Sequence, residues 1–224
     1  MSKEKVKSNN KLKIAVIVLA IALVAAIGGI FGVYAATQQN VNTAFSVQYS
    51  IGKNVAVAIG ARTGNTSTGM GNFIWFEADT NIEKNDETNL YEIGVNDNDQ
   101  NLNLHLPEEY NGVLSITNSS QGQALSFYFQ NLSSTDINVT VQDNCTVVGD
   151  LDVYYYYDIL PTSTPLDYIF AGTETDLSSP ITIKAGELCE LFIMVYFPED
   201  ADVNKSASYT SDANGGLSFR FEQA

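Results

Sequence analysis

Along most of this chain, apolar and polar residues alternate with a period of two. Phe45, Val47, Tyr49 and Ile51 alternate with Ser46, Gln48 and Ser50, and Val55, Val57 and Ile59 follow a Gly52-Lys53-Asn54 turn. Phe73–Ala78 is a short, mostly apolar run. Leu102, Leu104 and Leu106 form the next row, then Leu125, Phe127 and Phe129. Val139 and Val141 lead into Cys145 and Val147. Leu151, Val153, Tyr155, Tyr157 and Ile159 alternate with Asp152, Tyr154, Tyr156 and Asp158. Leu191, Ile193, Val195 and Phe197 form another row, and Leu217, Phe219 and Phe221 close the chain. Such rows, separated by Gly, Asn, Asp and Ser, predict antiparallel strands with one buried face. About ten of them in one chain predict an all-β, two-sheet sandwich of the jelly-roll kind. Ala61–Asn72, Asp79–Asn89, Asn96–Asn101 and Pro161–Pro180 read as loops, with short helical turns expected within Glu83–Thr88 or Pro165–Phe170.

The start of the chain breaks this pattern. Ile14–Ala36 is uncharged and follows Lys3, Lys5, Lys7, Lys11 and Lys13. As a helix, 23 residues would extend about 35 Å, enough to cross a bilayer, and the lysines place the N-terminus inside and the rest outside. The same layout describes a long secretory signal. Val33-Tyr34-Ala35 has the small residues of a cleavage site, so a cut between Ala35 and Ala36 and an intact anchor are both open. Either way, residues 1–35 serve export and 36–224 form one exported domain.

Charge narrows the function. Beyond the apolar run, 6 basic residues stand against 25 acidic ones, a net charge of −19. A domain this acidic repels phosphate backbones and anionic headgroups, which excludes nucleic-acid binding. The residues give no enzyme. His105, the single histidine, sits in "HLPEE", where Pro107 forbids the helix of a zinc-protease motif, and neither G-x-S-x-G nor a P-loop occurs.

Three smaller features carry alternatives. Cys145 and Cys189 share strand parity with core residues; in an exported chain they form a disulfide or remain two buried thiols. "NDNDQN" (96–101) sets Asp97 and Asp99 two apart among Asn oxygens, a pattern for calcium or simply for a solvated turn. In "YYYY", Tyr154 and Tyr156 share the polar face, where they bind sugars or a partner, or serve as strand formers.

The layout as a whole resembles the TasA/camelysin family of bacterial surface and biofilm-matrix proteins. The resemblance rests on the Lys-rich start with its long apolar run, on "LSFYFQNLSSTDINVTVQ", on "ITIKAGELCELFIMVYFPEDA" and on the closing "NGGLSFRFEQA". It implies a secreted jelly-roll subunit that polymerises into fibres, the freed N-terminus being donated as a strand to the next subunit's sheet. The donor here would be residues 36–44, through Thr37, Gln39, Val41 and Thr43, with a copy of the same chain as partner and cell-wall or matrix components as further partners. An anchored ectodomain that binds wall polymer or carbohydrate is the alternative function.

Overall fold

A computed structural model describes residues 39–42, 46–65, 73–80, 82–107, 114–116, 122–161, 172–198, 207–211 and 216–224. All belong to one compact unit, Gln39–Ala224. The expected segment 1–35 lies outside the described residues, among which no helix is long and apolar enough to cross a membrane. In chain order the strands are β1 (Gln39–Asn42), β2 (Ser46–Ile51), β3 (Val57–Asn65), β4 (Ile74–Trp75), β5 (Glu77–Ala78), β6 (Tyr91–Ile93), β7 (Gln100–His105), β8 (Leu114–Ile116), β9 (Gly122–Asn131), β10 (Ile137–Asp143), β11 (Thr146–Val148), β12 (Asp152–Leu160), β13 (Thr173–Thr175), β14 (Ile181–Ile183), β15 (Leu188–Tyr196), β16 (Ala207–Thr210) and β17 (Leu217–Gln223).

The fold is an all-β sandwich. A six-stranded sheet, β14-β10-β17-β2-β7-β5, faces a seven-stranded one, β13-β12-β15-β9-β3-β4, with β6 also paired to β3; a third sheet has the order β11-β16-β1-β8. The inward rows are those the alternation predicts. Val47, Tyr49, Ile51, Leu102, Leu104, Phe219 and Phe221 from the first sheet share one buried cluster with Val57, Ile59, Phe127, Phe129, Leu191 and Ile193 from the second. Aromatic rings lock the layers together: Phe129 lies 4.8 Å from Phe219 and 5.3 Å from Phe221, and Phe127 lies 5.1 Å from Phe219, ring centre to ring centre. Such pairs add directional attraction to the burial of large apolar area.

Two expectations are corrected. The sheets are mixed, because β17 runs parallel to β2 and β1 parallel to β16. A purely antiparallel, two-sheet arrangement therefore does not hold. Ala61–Asn65 is strand, since the ladder to β9 continues to Asn65 opposite Gln123. The turn expected within Glu83–Thr88 is held by Asn85, whose Oδ1 accepts from the amides of Glu87 and Thr88.

The largest departure lies on the outer face of the seven-stranded sheet, where alternation predicts solvent. A second apolar cluster sits there: Ala58, Leu90, Tyr128 and Leu188, with Trp75 and Leu160 against it. Leu90 and Trp75 approach so closely that a Cβ on Gly60 would stand 2.4 Å from Leu90 Cδ2 and 3.3 Å from Trp75 Cζ3. Under this cover lie Arg62, 5% exposed, and Glu190, 2% exposed, with Arg62 Nη2 4.0 Å from Glu190 Oε1. Tyr128 donates its hydroxyl to Glu190 Oε1 at 2.8 Å. The Arg62 guanidinium carbon stands 3.9 Å from the ring centre of Phe73 and 5.1 Å from that of Tyr128. Burial holds the Glu190 carboxyl above the usual glutamate range, opposed by Tyr128 and Arg62.

The two partners are not equivalent. A buried glutamate deprived of its cation can take up a proton, whereas an arginine cannot shed one. Glu190→Gln is therefore expected to cost about 3 kcal/mol, and Arg62→Met clearly less. The Arg62→Met/Glu190→Gln pair should return close to the parent, because Gln still accepts from Tyr128. Urea midpoints of the four proteins measure this, and additive losses would refute the coupling.

Candidate functional site

The third sheet holds the segment that the sequence marks as an assembly strand. β1 is central in it. Gln39, Asn40 and Val41 lie opposite Ile116, Ser115 and Leu114 of antiparallel β8, while Val41 and Asn42 lie opposite Ala207 and Ser208 of parallel β16. Four residues at the N-terminal edge of the compact unit thus join two strands far apart in sequence. Because adjacent strands are spaced by about 4.8 Å, loss of β1 would open a slot roughly 10 Å wide. Both walls would then present unpaired backbone groups, an arrangement that favours insertion of another strand. Of the expected donor residues, Gln39 and Val41 are in β1. Thr37 and Thr43 lie outside the described residues, as do Ala35 and Ala36 of the cleavage junction.

β16 forms the slot wall tied most firmly to the sandwich. Ala207 and Tyr209 are buried in the main core. Ser211 donates its hydroxyl to the carbonyl of Ser46, at the start of β2. Tyr209 donates to Asp143 Oδ2, which also accepts from Tyr155 at 2.6 Å, while Asp143 Oδ1 accepts from the Cys145 amide at 2.8 Å. One carboxylate at the end of β10 therefore connects β16 with β12 of the seven-stranded sheet. Burial pushes the Tyr209 and Tyr155 hydroxyls well above the usual phenol range, and the carboxylate adds to the effect. Both remain protonated donors. The outer edge strand, β11, pairs with β16 and exposes Val147 (45%) and Val148 (53%).

The expected disulfide is not formed: Cys145 and Cys189 are free thiols. Both meet the core, but at different levels. Cys145 lies among Asp143, Tyr209 and the Leu217 backbone, near Tyr155. Cys189 lies in β15, between Ile159 of β12 and Phe129 of β9. Burial raises both thiols well above their ordinary range.

The other expected sites are placed separately. Asp97 and Asp99 are exposed in a turn; Asp99 Oδ1 accepts from the Lys53 amide at 3.1 Å, and Asn96 Oδ1 from the Asn98 amide at 3.1 Å. Their oxygens serve the turn, and among the described residues no three of His, Cys, Asp and Glu converge on a point that could hold a metal ion. The calcium expectation finds no converging ligand set there. Tyr154 stacks on Tyr196, 5.3 Å between centres and 4° from parallel, while Tyr156 lies opposite Phe192. One face of the Tyr154 ring is thus already covered. A hydrogen bond with Tyr154, which favours the protonated form, pushes the Tyr196 hydroxyl up to about 12. His105 bridges Asp79 Oδ1, at 3.1 Å from Nε2, and the Leu106 carbonyl, at 2.9 Å from Nδ1.

Sequence reasoning missed Asp143, Tyr209 and the role of Tyr155. The signal available was an Asp at the end of an apolar strand, in "VQDNC", where a carboxylate inside a sandwich requires donors. No protein-family model, no curated protein and no solved structure matches this chain.

Two outcomes follow from this geometry. Asp143→Ala strands one buried and one half-buried hydroxyl, of Tyr209 and Tyr155, and should destabilise the fold by about 3 kcal/mol, whereas Tyr155→Phe should cost about 1. Hydrogen exchange should accelerate first in 207–211 of the Asp143→Ala protein; uniform acceleration would deny the anchoring role. Titration with a thiol reagent in denaturant, without reductant, should find two reactive thiols per chain. In native buffer Cys189 should stay protected. A count of zero in denaturant would restore the disulfide.

Proposed function

We propose that this chain is an exported structural subunit that polymerises by donating residues 36–44 to the next copy, into the slot between β8 and β16. The observation that carries the reading is the two-sided pairing of β1, a four-residue strand at the N-terminal edge of the unit. In a lone subunit it fills its own slot. In a polymer the equivalent strand of a neighbour fills it, with the same backbone hydrogen bonds supplied in trans. A head-to-tail exchange that does not close on itself yields an open fibre. The resemblance to the TasA/camelysin family points the same way, and on this reading the sandwich is a jelly roll. The acidic surface keeps subunits soluble until strands exchange. Release at Ala36 frees the donor, and the fibre lies outside a bacterial cell, in the matrix or on the surface.

Protein beginning at Ala36 should form fibres visible by negative-stain electron microscopy, and the full-length chain should not. Val41→Asp places a charge in the donor strand, at the register position opposite Ala207, and should reduce fibre yield at least tenfold with an unchanged circular dichroism spectrum. An excess of synthetic 36–44 peptide should cap growth. Undiminished fibres from Val41→Asp would assign the donor elsewhere. Monomers under all conditions would favour the anchored ectodomain.

A further inference from the structure

The outer face of the six-stranded sheet forms a groove of about 550 Å³, within the range of small-ligand sites. Two rows of polar side chains cross it. In one, register places Gln142 beside Ser218, Ser218 beside Gln48 and Gln48 beside Asn103. In the other, Thr140, Arg220, Ser50 and Asn101 line up in the same way. All these positions are opposite in parity to the buried row of Tyr49, Phe219 and Leu102. Neighbouring side chains across the rows therefore repeat at about 4.8 Å, the scale of one sugar ring.

We propose that this groove binds a neutral polysaccharide chain laid across β10, β17, β2 and β7. The groove's chemistry selects that ligand class. Among the described residues its lining has no carboxylate, although acidic residues outnumber basic ones 25 to 6 beyond the apolar run. Its one cation is neutralised, Arg220 donating to Glu222 Oε1 at 2.6 Å. The floor is thus uncharged within a strongly negative domain. An anionic polymer is repelled by the surroundings, and a cation finds no carboxylate ligands in the groove. A peptide partner would need apolar or aromatic anchors, and both rows consist of amides, hydroxyls and one guanidinium. Amides and hydroxyls both donate and accept, as sugar hydroxyls do, so a polyol satisfies every position without leaving a charge unpaired.

The site is independent of strand exchange, since β1, β8 and β16 contribute nothing to it. It would let an exported subunit adhere to matrix or wall glycan. The test uses the full-length chain in a detergent without a sugar headgroup, sedimented with insoluble cellulose and with chitin. Binding to at least one is expected, displaced by the matching cellopentaose or chitopentaose and unchanged between 50 and 500 mM NaCl, as an uncharged ligand requires (about a threefold change in Debye length). Gln48→Ala/Asn103→Ala should weaken binding at least tenfold, and Tyr154→Ala should leave it unaltered. No sedimentation with either polymer, equal binding by the double variant, loss on Tyr154→Ala, or a preference for polygalacturonate would each overturn the assignment.

Discussion

The fold depends on the contact between Phe127 and Phe129 of one sheet and Phe219 and Phe221 of the other. Neither sheet is stable as a free layer, because each has a continuous apolar face. Large rings placed opposite one another bury more area per residue than aliphatic side chains would, and they fix the two layers in one alignment. Everything at the margins inherits that alignment. β17 carries Phe219 and Phe221 into the core, and it is also the strand against which β2 runs parallel and β10 antiparallel. A shift of β17 by one residue would turn both rings out and bring Ser218 and Arg220 into the core. The polar groove and the aromatic core are thus the two faces of one register.

Asp143 extends this order to the third sheet. The strands there are short, and short strands gain little from their own ladders. What holds β16 is the side-chain contact made by Ala207 and Tyr209 with the core and the acceptor that Asp143 supplies. With one wall so anchored, the slot can keep its shape while the strand inside it changes. The proposed exchange would require that separation, an acceptor wall anchored independently of the donor.

The inward rows were legible in the sequence because the alternation of Val47, Tyr49 and Ile51, or of Phe219 and Phe221, directly reflects burial on one face. Strand direction was not. Whether β2 runs parallel or antiparallel to β17 leaves the same alternation in both, and the two strands are joined only through the rest of the chain. The buried outer face was half legible. Glu190 stands inside "LCELFIMV", and a carboxylate there demands a cation; Arg62 is one of six basic residues beyond the apolar run. The disulfide failed for a different reason. Parity reports which face a cysteine occupies, and nothing about its level along the strand: Cys145 sits beside Asp143 and Tyr209, and Cys189 between Ile159 and Phe129. Asp143 was missed because its donors, Tyr155 and Tyr209, come from opposite sides of a long sequence gap.

Taken together, the charges separate two kinds of surface. The region beyond the apolar run carries many more acidic than basic residues, which sets a long-range repulsion between copies. The proposed strand exchange would overcome it by short-range backbone pairing and burial, forces that act only when a donor is already at the slot. Collisions between other faces lack that compensation. On that proposal repulsion acts as a filter on association, with the slot as the favoured contact between copies. The groove on the six-stranded sheet escapes the filter by being uncharged, so a neutral polymer approaches it without an electrostatic penalty. The two proposals are compatible: joining a copy through one edge and a glycan through one face would use no residue in common.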